Sequence, residues 1–148
     1  MYDVLSNYPN GFQKGVTIRG VPLFMTNPGN IFWVGNSTAV GASASDNGTH
    51  GKTRGKPFAT LDYAIGNCVA GRGDIIYILP GHAETIIADS GVDVDVAGVT
   101  IIGLGTGEAR PTFTFATSTA ADFKMAAANT TLQNVIFKCN IASQEMMI

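Results

Sequence analysis

The chain has 148 residues, enough for one domain of ordinary size, and 45% of them are apolar, which is material for a core. Only 14% are charged, the net charge is −2, and the scattered Lys52, Arg54 and Lys56 are the nearest thing to a basic cluster, so a basic nucleic-acid surface is excluded. Met1-Tyr2-Asp3 opens no signal peptide and no apolar run nears the ~20 residues of a membrane helix, so a soluble chain with no membrane contact is expected.

Residues 1–30 carry three prolines and four glycines, and their apolar residues follow no helical period. They read as an extended attachment arm with a short strand near Val16–Arg19, set against the plainer reading of a loosely packed terminus. Phe12, Val16, Ile18, Val21, Leu23 and Phe24 are costly to leave in water and call for burial on the body or on a partner. The body is expected over residues 31–148.

Ile31-Phe32-Trp33-Val34 predicts a short strand. Residues 35–56, dominated by Gly, Ser, Thr and Asn, predict a loop that is mobile or serves as a binding surface. Residues 57–70 predict the one helix. Pro57 suits its first turn, Phe58, Leu61, Ala64, Ile65, Cys68 and Val69 share a face, and Gly71 and Gly73 stop it.

From Asp74 onward the chain predicts short strands separated by turns: 74–79, 84–88, 92–96, 99–104, 111–115, 122–126 and 131–139. No Asn-Gly or Asp-Gly hairpin turn separates them. Written in threes, their first, second and third members recur at 24 (99 − 75), 27 (111 − 84) and 30 (122 − 92) residues. A period in that range predicts a coil of three strands per turn, a short right-handed parallel β-helix within an all-β fold. Alternation points Ile76/Ile78, Val92/Val94/Val96 and Phe113/Phe115 inward. The helix stands where it caps the first coil. Thr131–Cys139, then Ile141–Ile148, begin a third coil, and its apolar end predicts either a covering chain or a longer natural protein.

Phe58, Thr60, Ala64, Ile65, Gly73, Asp74, Pro80 and Gly81 match the opening of pectate-lyase-like β-helix proteins: a cap helix of the form aromatic-x-Thr-φ-x-x-Ala-φ, then Gly-Asp and a strand ending in Pro-Gly. Residues 121–141, with strand, Asn turn and strand, resemble a later coil. The resemblance covers about residues 31–142 and speaks to fold, since that fold serves lyases, hydrolases, adhesins and viral spikes alike. Family enzymes usually carry eight or more coils, whereas little more than two fit here. The arm followed by a capped body resembles bacteriophage virion proteins. That resemblance implies a structural, non-enzymatic role in the virion, with capsid decoration preferred. It also implies a homotrimer, and an arm that anchors Phe12, Ile18, Val21 and Phe24 on the major capsid protein or another virion component. A tail spike or fibre that binds or cleaves host polysaccharide is the alternative, and a host-binding module a third reading.

Several residues invite chemistry. His82 and Glu84 share a strand face and form a conceivable general acid/base pair, but their place beside the cap favours turn chemistry. Asp93 and Asp95 alternate with valines, both facing outward, so a weak Ca²⁺ site is weighed against a solvated face, and the solvated face is preferred. Arg72-Gly73-Asp74 has the form of an adhesion tripeptide, but the turn between helix and strand accounts for Gly73-Asp74. His50 has no evident partner. Cys68 and Cys139 form no metal motif or disulfide framework, and their apolar neighbours predict buried thiols. No catalytic residue, metal or cofactor is assigned.

Overall fold

The computed structural model describes residues 16–18, 21–23, 29–36, 43–89, 91–116 and 119–140. Mostly β, the described residues form three parallel sheets, one antiparallel pair and one short α-helix. The antiparallel pair lies in the arm: β1 (Val16–Ile18) meets β2 (Val21–Leu23), with Ile18 opposite Val21 and Thr17 opposite Pro22. A two-stranded pair tolerates proline because it has outer edges where no N–H is needed. Phe12 and Phe24 lie outside the described residues.

The body starts at β3 (Ile31–Val34) and continues through α1 (Leu61–Gly66), β4 (Ile75–Ile78), β5 (Ala83–Ile86) and β6 (Val92–Asp93). Then follow β7 (Thr100–Gly103), a 3-10 turn at Gly107–Ala109, β8 (Thr112–Phe115), β9 (Phe123–Lys124), β10 (Thr131–Gln133) and β11 (Ile136–Cys139). From β4 to β8 each strand pairs in parallel with the strand three places along. The sheets are β3-β4-β7-β10, β5-β8-β11 and β6-β9. Observed offsets are 25 for Ile75 with Thr100 (100 − 75), 29 for Glu84 with Phe113 (113 − 84) and 31 for Val92 with Phe123 (123 − 92). The sequence spacing was short by one, two and one residues. Corners of unequal length absorb the difference, and a strand apolar on both faces, such as Ile75-Ile76-Tyr77-Ile78, does not reveal its own phase.

The inward set is nonetheless as read. Ile76, Ile78, Val92, Val94, Ile101, Phe113 and Phe115 are buried in one core, and Val96 packs partly against it. Phe113 is its centre, with ring centroids 5.4 Å from Phe123 and 6.1 Å from Phe137. The expected strand 131–139 is two strands. Asn134 breaks it in the left-handed region (φ 59), a conformation Asn tolerates better than most residues. Its Nδ2 donates to the carbonyls of Gly103 (2.8 Å) and Gly105 (3.0 Å), which fixes this corner on the corner of the preceding strand pair. Gly103 must lack a Cβ, because one built there would collide with the Asn134 carbonyl.

The helix is shorter than its amphipathic pattern predicts. Phe58 is extended, not helical: its N–H donates to the Trp33 carbonyl (2.8 Å) and its carbonyl accepts from Gly35 (2.9 Å), so Phe58 extends the sheet edge at β3. Thr60 is the N-cap, its hydroxyl accepting from the Tyr63 N–H, and Asn67 closes the last turn. Leu61, Ala64 and Ile65 are buried, so α1 packs one apolar face against the core. Cys68 is half-buried, its Sγ donating to the Ala64 carbonyl (3.4 Å). Cys139 is exposed, contrary to the burial expected from its neighbours: it stands in the inward column below Phe115, but on the last strand of its sheet among the described residues. No disulfide joins the two cysteines.

Candidate functional site

Polar chemistry concentrates where α1 and the chain before it meet the first strands. His82 is buried, and Glu84 occupies the inward column above Phe113, at a point where that column is otherwise apolar. The Asn36 N–H donates to His82 Nδ1 (3.1 Å), so the neutral ring carries its proton on Nε2 and donates it to Glu84 Oε2 (3.1 Å). The same carboxylate oxygen accepts from the N–H of Leu61, the first residue of α1 (3.1 Å). The sequence brought His82 and Glu84 together correctly. What it lacked was the third and fourth members, two backbone amides from residues 36 and 61. A general base needs a free lone pair within reach of a substrate proton. Here the imidazole lone pair is taken by a backbone donor, and the pair serves as a strut between the sheet and the cap.

Asp74 is the second hub. It is fully buried and accepts four hydrogen bonds: from Asn30 N (2.7 Å), Val69 N (2.8 Å), Arg72 Nε (2.7 Å) and Arg72 Nη2 (2.6 Å). Burial raises its pKa. The Arg72 hydrogen bonds, the Val69 and Asn30 N–H groups and the Arg72 charge lower it further than burial raises it, so the carboxyl stays ionised below the usual range. The Arg-Gly-Asp tripeptide is therefore folded onto itself, its acid out of reach of any receptor. Asp46 is the third hub and was missed by sequence reasoning. It accepts from Ala59 N (2.8 Å), Thr60 N (3.2 Å) and Thr60 Oγ1 (2.9 Å), which holds the 43–50 loop on the start of the helix. A contact thirteen residues from its partner leaves no local pattern to read.

His50 does find partners: Asn47 Oδ1 lies 2.7 Å and Thr49 Oγ1 3.1 Å from its Nδ1, and Ser43 Oγ 3.4 Å from its Nε2. These bonds lie on an exposed surface and brace residues 43–50, while backbone bonds between Gly51 and Lys56 and between Lys56 and Thr53 close the turn that follows.

Asp93 and Asp95 were read as a matched outward pair. Asp95 is exposed, but Asp93 is half-buried, its N–H donating to Asp62 Oδ1 (3.3 Å) while its own Oδ1 is buried with no partner among the described residues. Lys124 stands opposite Asp93 in register, yet its ammonium goes to Asp89 (2.7 Å) and Asp122 (3.0 Å). The hydrogen bonds to Asp89 and Asp122 raise its pKa. Among the described residues no group of three or more His, Cys, Asp or Glu side chains is placed to hold a metal ion, and no helix is long and apolar enough to cross a membrane.

Comparison with protein-family models, curated proteins and solved structures gave no match. The functional reading therefore rests on the geometry above and on the resemblance of the sequence motifs.

Proposed function

We propose that the chain is a structural bacteriophage virion protein whose body is a short right-handed parallel β-helix. The three parallel sheets are the faces of the coil, with three strands per turn. The five pairings between strands three places apart support this, since parallel crossovers are overwhelmingly right-handed. The preferred role is capsid decoration, as a homotrimer attached through the arm, with Phe12, Ile18, Val21 and Phe24 seated in apolar pockets of a capsid-type partner.

One observation carries the non-enzymatic reading: Asp74, His82 and Glu84, the acids and base nearest the core, each spend acceptor capacity on backbone amides beside β3 or at the two ends of the helix region. A protein whose buried polar groups are committed to rigidity is suited to a mechanical task. The role as decoration protein rests on the resemblance alone.

The test is reconstitution. Virions stripped of this protein are incubated with the full chain or with a chain lacking residues 1–30, and occupancy is read by electron microscopy. The full chain is expected to rebind as trimers and the shortened one to stay folded but unbound. Equal occupancy by both sinks the attachment role. Release of new sugar ends from pectin or lipopolysaccharide, abolished in a His82→Ala/Glu84→Ala double variant, replaces this proposal with the spike reading.

A further inference from the structure

Asn47 lies on an exposed turn that the His50 N–H closes on the Asn47 backbone carbonyl (3.1 Å), and Gly48 follows it. Three donors converge on the Asn47 side-chain oxygen: Thr49 N–H (3.0 Å), Thr49 Oγ1 (2.7 Å) and His50 Nδ1 (2.7 Å). An amide oxygen only accepts, so the proton of the neutral His50 ring sits on Nδ1. The Nδ2 of the same Asn47 side chain donates to Ser45 Oγ (2.9 Å). Gly48 N–H has no hydrogen-bond partner among the described residues. We propose that Asn47-Gly48 is a self-modification site, at which the Gly48 nitrogen displaces ammonia from the Asn47 side chain, and that the product loosens the 43–50 loop from α1.

The step needs no substrate and no cleft, because the nucleophile is the next residue of the chain. The bond from Gly48 N to Asn47 Cγ forms and the Cγ–Nδ2 bond breaks. The proton lost by Gly48 N leaves with Nδ2 as ammonia, and a succinimide ring remains. Water then opens the ring at either carbonyl to give aspartate or isoaspartate, with no change of oxidation state. During the attack negative charge develops on Asn47 Oδ1, the oxygen that the three donors already surround, and preplaced donors of this kind stabilise an oxyanion.

Glycine supplies a second argument. A Cβ built at Gly48 would meet nothing within 4 Å, and its φ is not in the left-handed region, so the fold makes no demand for glycine there. The chemistry does, since a side chain at this position crowds the forming ring. The place gives the product an effect. Asp46, the preceding residue, fastens the loop to Ala59 and Thr60 at the start of α1. Isoaspartate lengthens the backbone by a methylene beside that clamp and adds a like charge next to the Asp46 carboxylate.

The proposal does not depend on the virion role. Its test follows conversion of Asn47 in the full chain at neutral pH, folded or unfolded in denaturant, by peptide mass and isoaspartate content. The folded chain should convert at least about tenfold faster than the unfolded one, because only the fold assembles the donors. Thr49→Val and His50→Ala should each slow the folded chain several-fold and leave the unfolded rate unchanged. Gly48→Ala, which meets no neighbour, should nearly abolish conversion with no loss in denaturation midpoint. Converted chain, separated by charge, should show several-fold faster hydrogen exchange at the Ala59 and Thr60 amides. A folded rate equal to or below the unfolded rate overturns the assignment, as does a folded rate unmoved by both Thr49→Val and His50→Ala. Unchanged exchange at Ala59 and Thr60 overturns the link to the helix.

Discussion

At the N-terminal end of the body three carboxylates, Asp46, Asp74 and Glu84, fasten backbone amides of residues 30, 59, 60, 61 and 69. At the other end the descending layer is aromatic: Phe123 and Phe137 meet edge to face at 5.1 Å, and Phe115 stacks on Phe137 at 6.1 Å. Hydrogen bonds to charged acceptors are directional and fix which residue sits where. Apolar contact rewards any cover of the right size. One end is thus specified residue by residue, and the other asks only for an apolar partner of suitable shape.

The sharpest way to separate the ends is to truncate matched rings. Phe113→Ala removes a fully buried ring at the centre of the core and should cost about 3–5 kcal/mol in chemical denaturation. Phe137→Ala, one layer down and half-buried, should cost roughly half as much by the same cavity argument. Equal costs would mean that the lower layer is as fully enclosed as the upper.

A second break targets the polar end. Asp74→Asn keeps the shape but weakens acceptors of four hydrogen bonds, and should cost about 2–3 kcal/mol. The pH dependence follows from the lowered pKa. Asp74 contributes its stability above the ordinary carboxylate range, and that contribution is lost as pH falls through its folded value. Wild type should therefore lose stability in acid more steeply than Asp74→Asn. Parallel acid limbs would remove Asp74 from the account. Glu84→Ala, which frees the Leu61 amide and the His82 Nε2–H together, should cost less, about 1–2 kcal/mol, and mainly raise hydrogen exchange in α1.

The same contrast explains what the sequence disclosed. Alternation and spacing revealed the parallel repeats and their inward residues, because the core repeats with a strand period of two and needs no partner identity. The exact register was hidden by isoleucines on both faces of β4 and by corners of unequal length. The helix was legible but not in extent: Pro57 and Phe58 fit a helix start, yet Phe58 pairs with the edge of β3 instead. Asp74 and Glu84 were visible as residues, but their roles depend on amides far away in sequence, from Asn30 to Asp74 for one and from Leu61 to Glu84 for the other. Long-range side-chain-to-backbone contacts leave no periodicity. For Arg72-Gly73-Asp74 the sequence already favoured a turn over adhesion, and the fold adds a local contact, Arg72 closing on Asp74 two residues on.

The smallest expected effect, and the cleanest label for the two ends, lies in the thiols. Cys68 belongs to the capped end: burial, then the Asp74 charge, raise its pKa to about 12, against a smaller opposing pull from Arg72. Cys139 belongs to the other end and is exposed. Since the thiolate is the reactive form, an aromatic disulfide reagent at pH 8 should modify Cys139 promptly and Cys68 more than about a hundredfold more slowly, catching up only when the protein unfolds. The raised value also fixes a sign. The folded state holds the Cys68 proton more tightly than the unfolded chain, so its contribution is complete below the ordinary thiol range and is lost as pH rises toward about 12. Cys68→Ser should flatten that alkaline loss and leave stability at pH 7 nearly unchanged, read by denaturation midpoints between pH 7 and pH 10. Two thiols reacting at one rate would show that the cap opens as readily as the far end, and the distinction between a specified end and an unspecified one would fall with it.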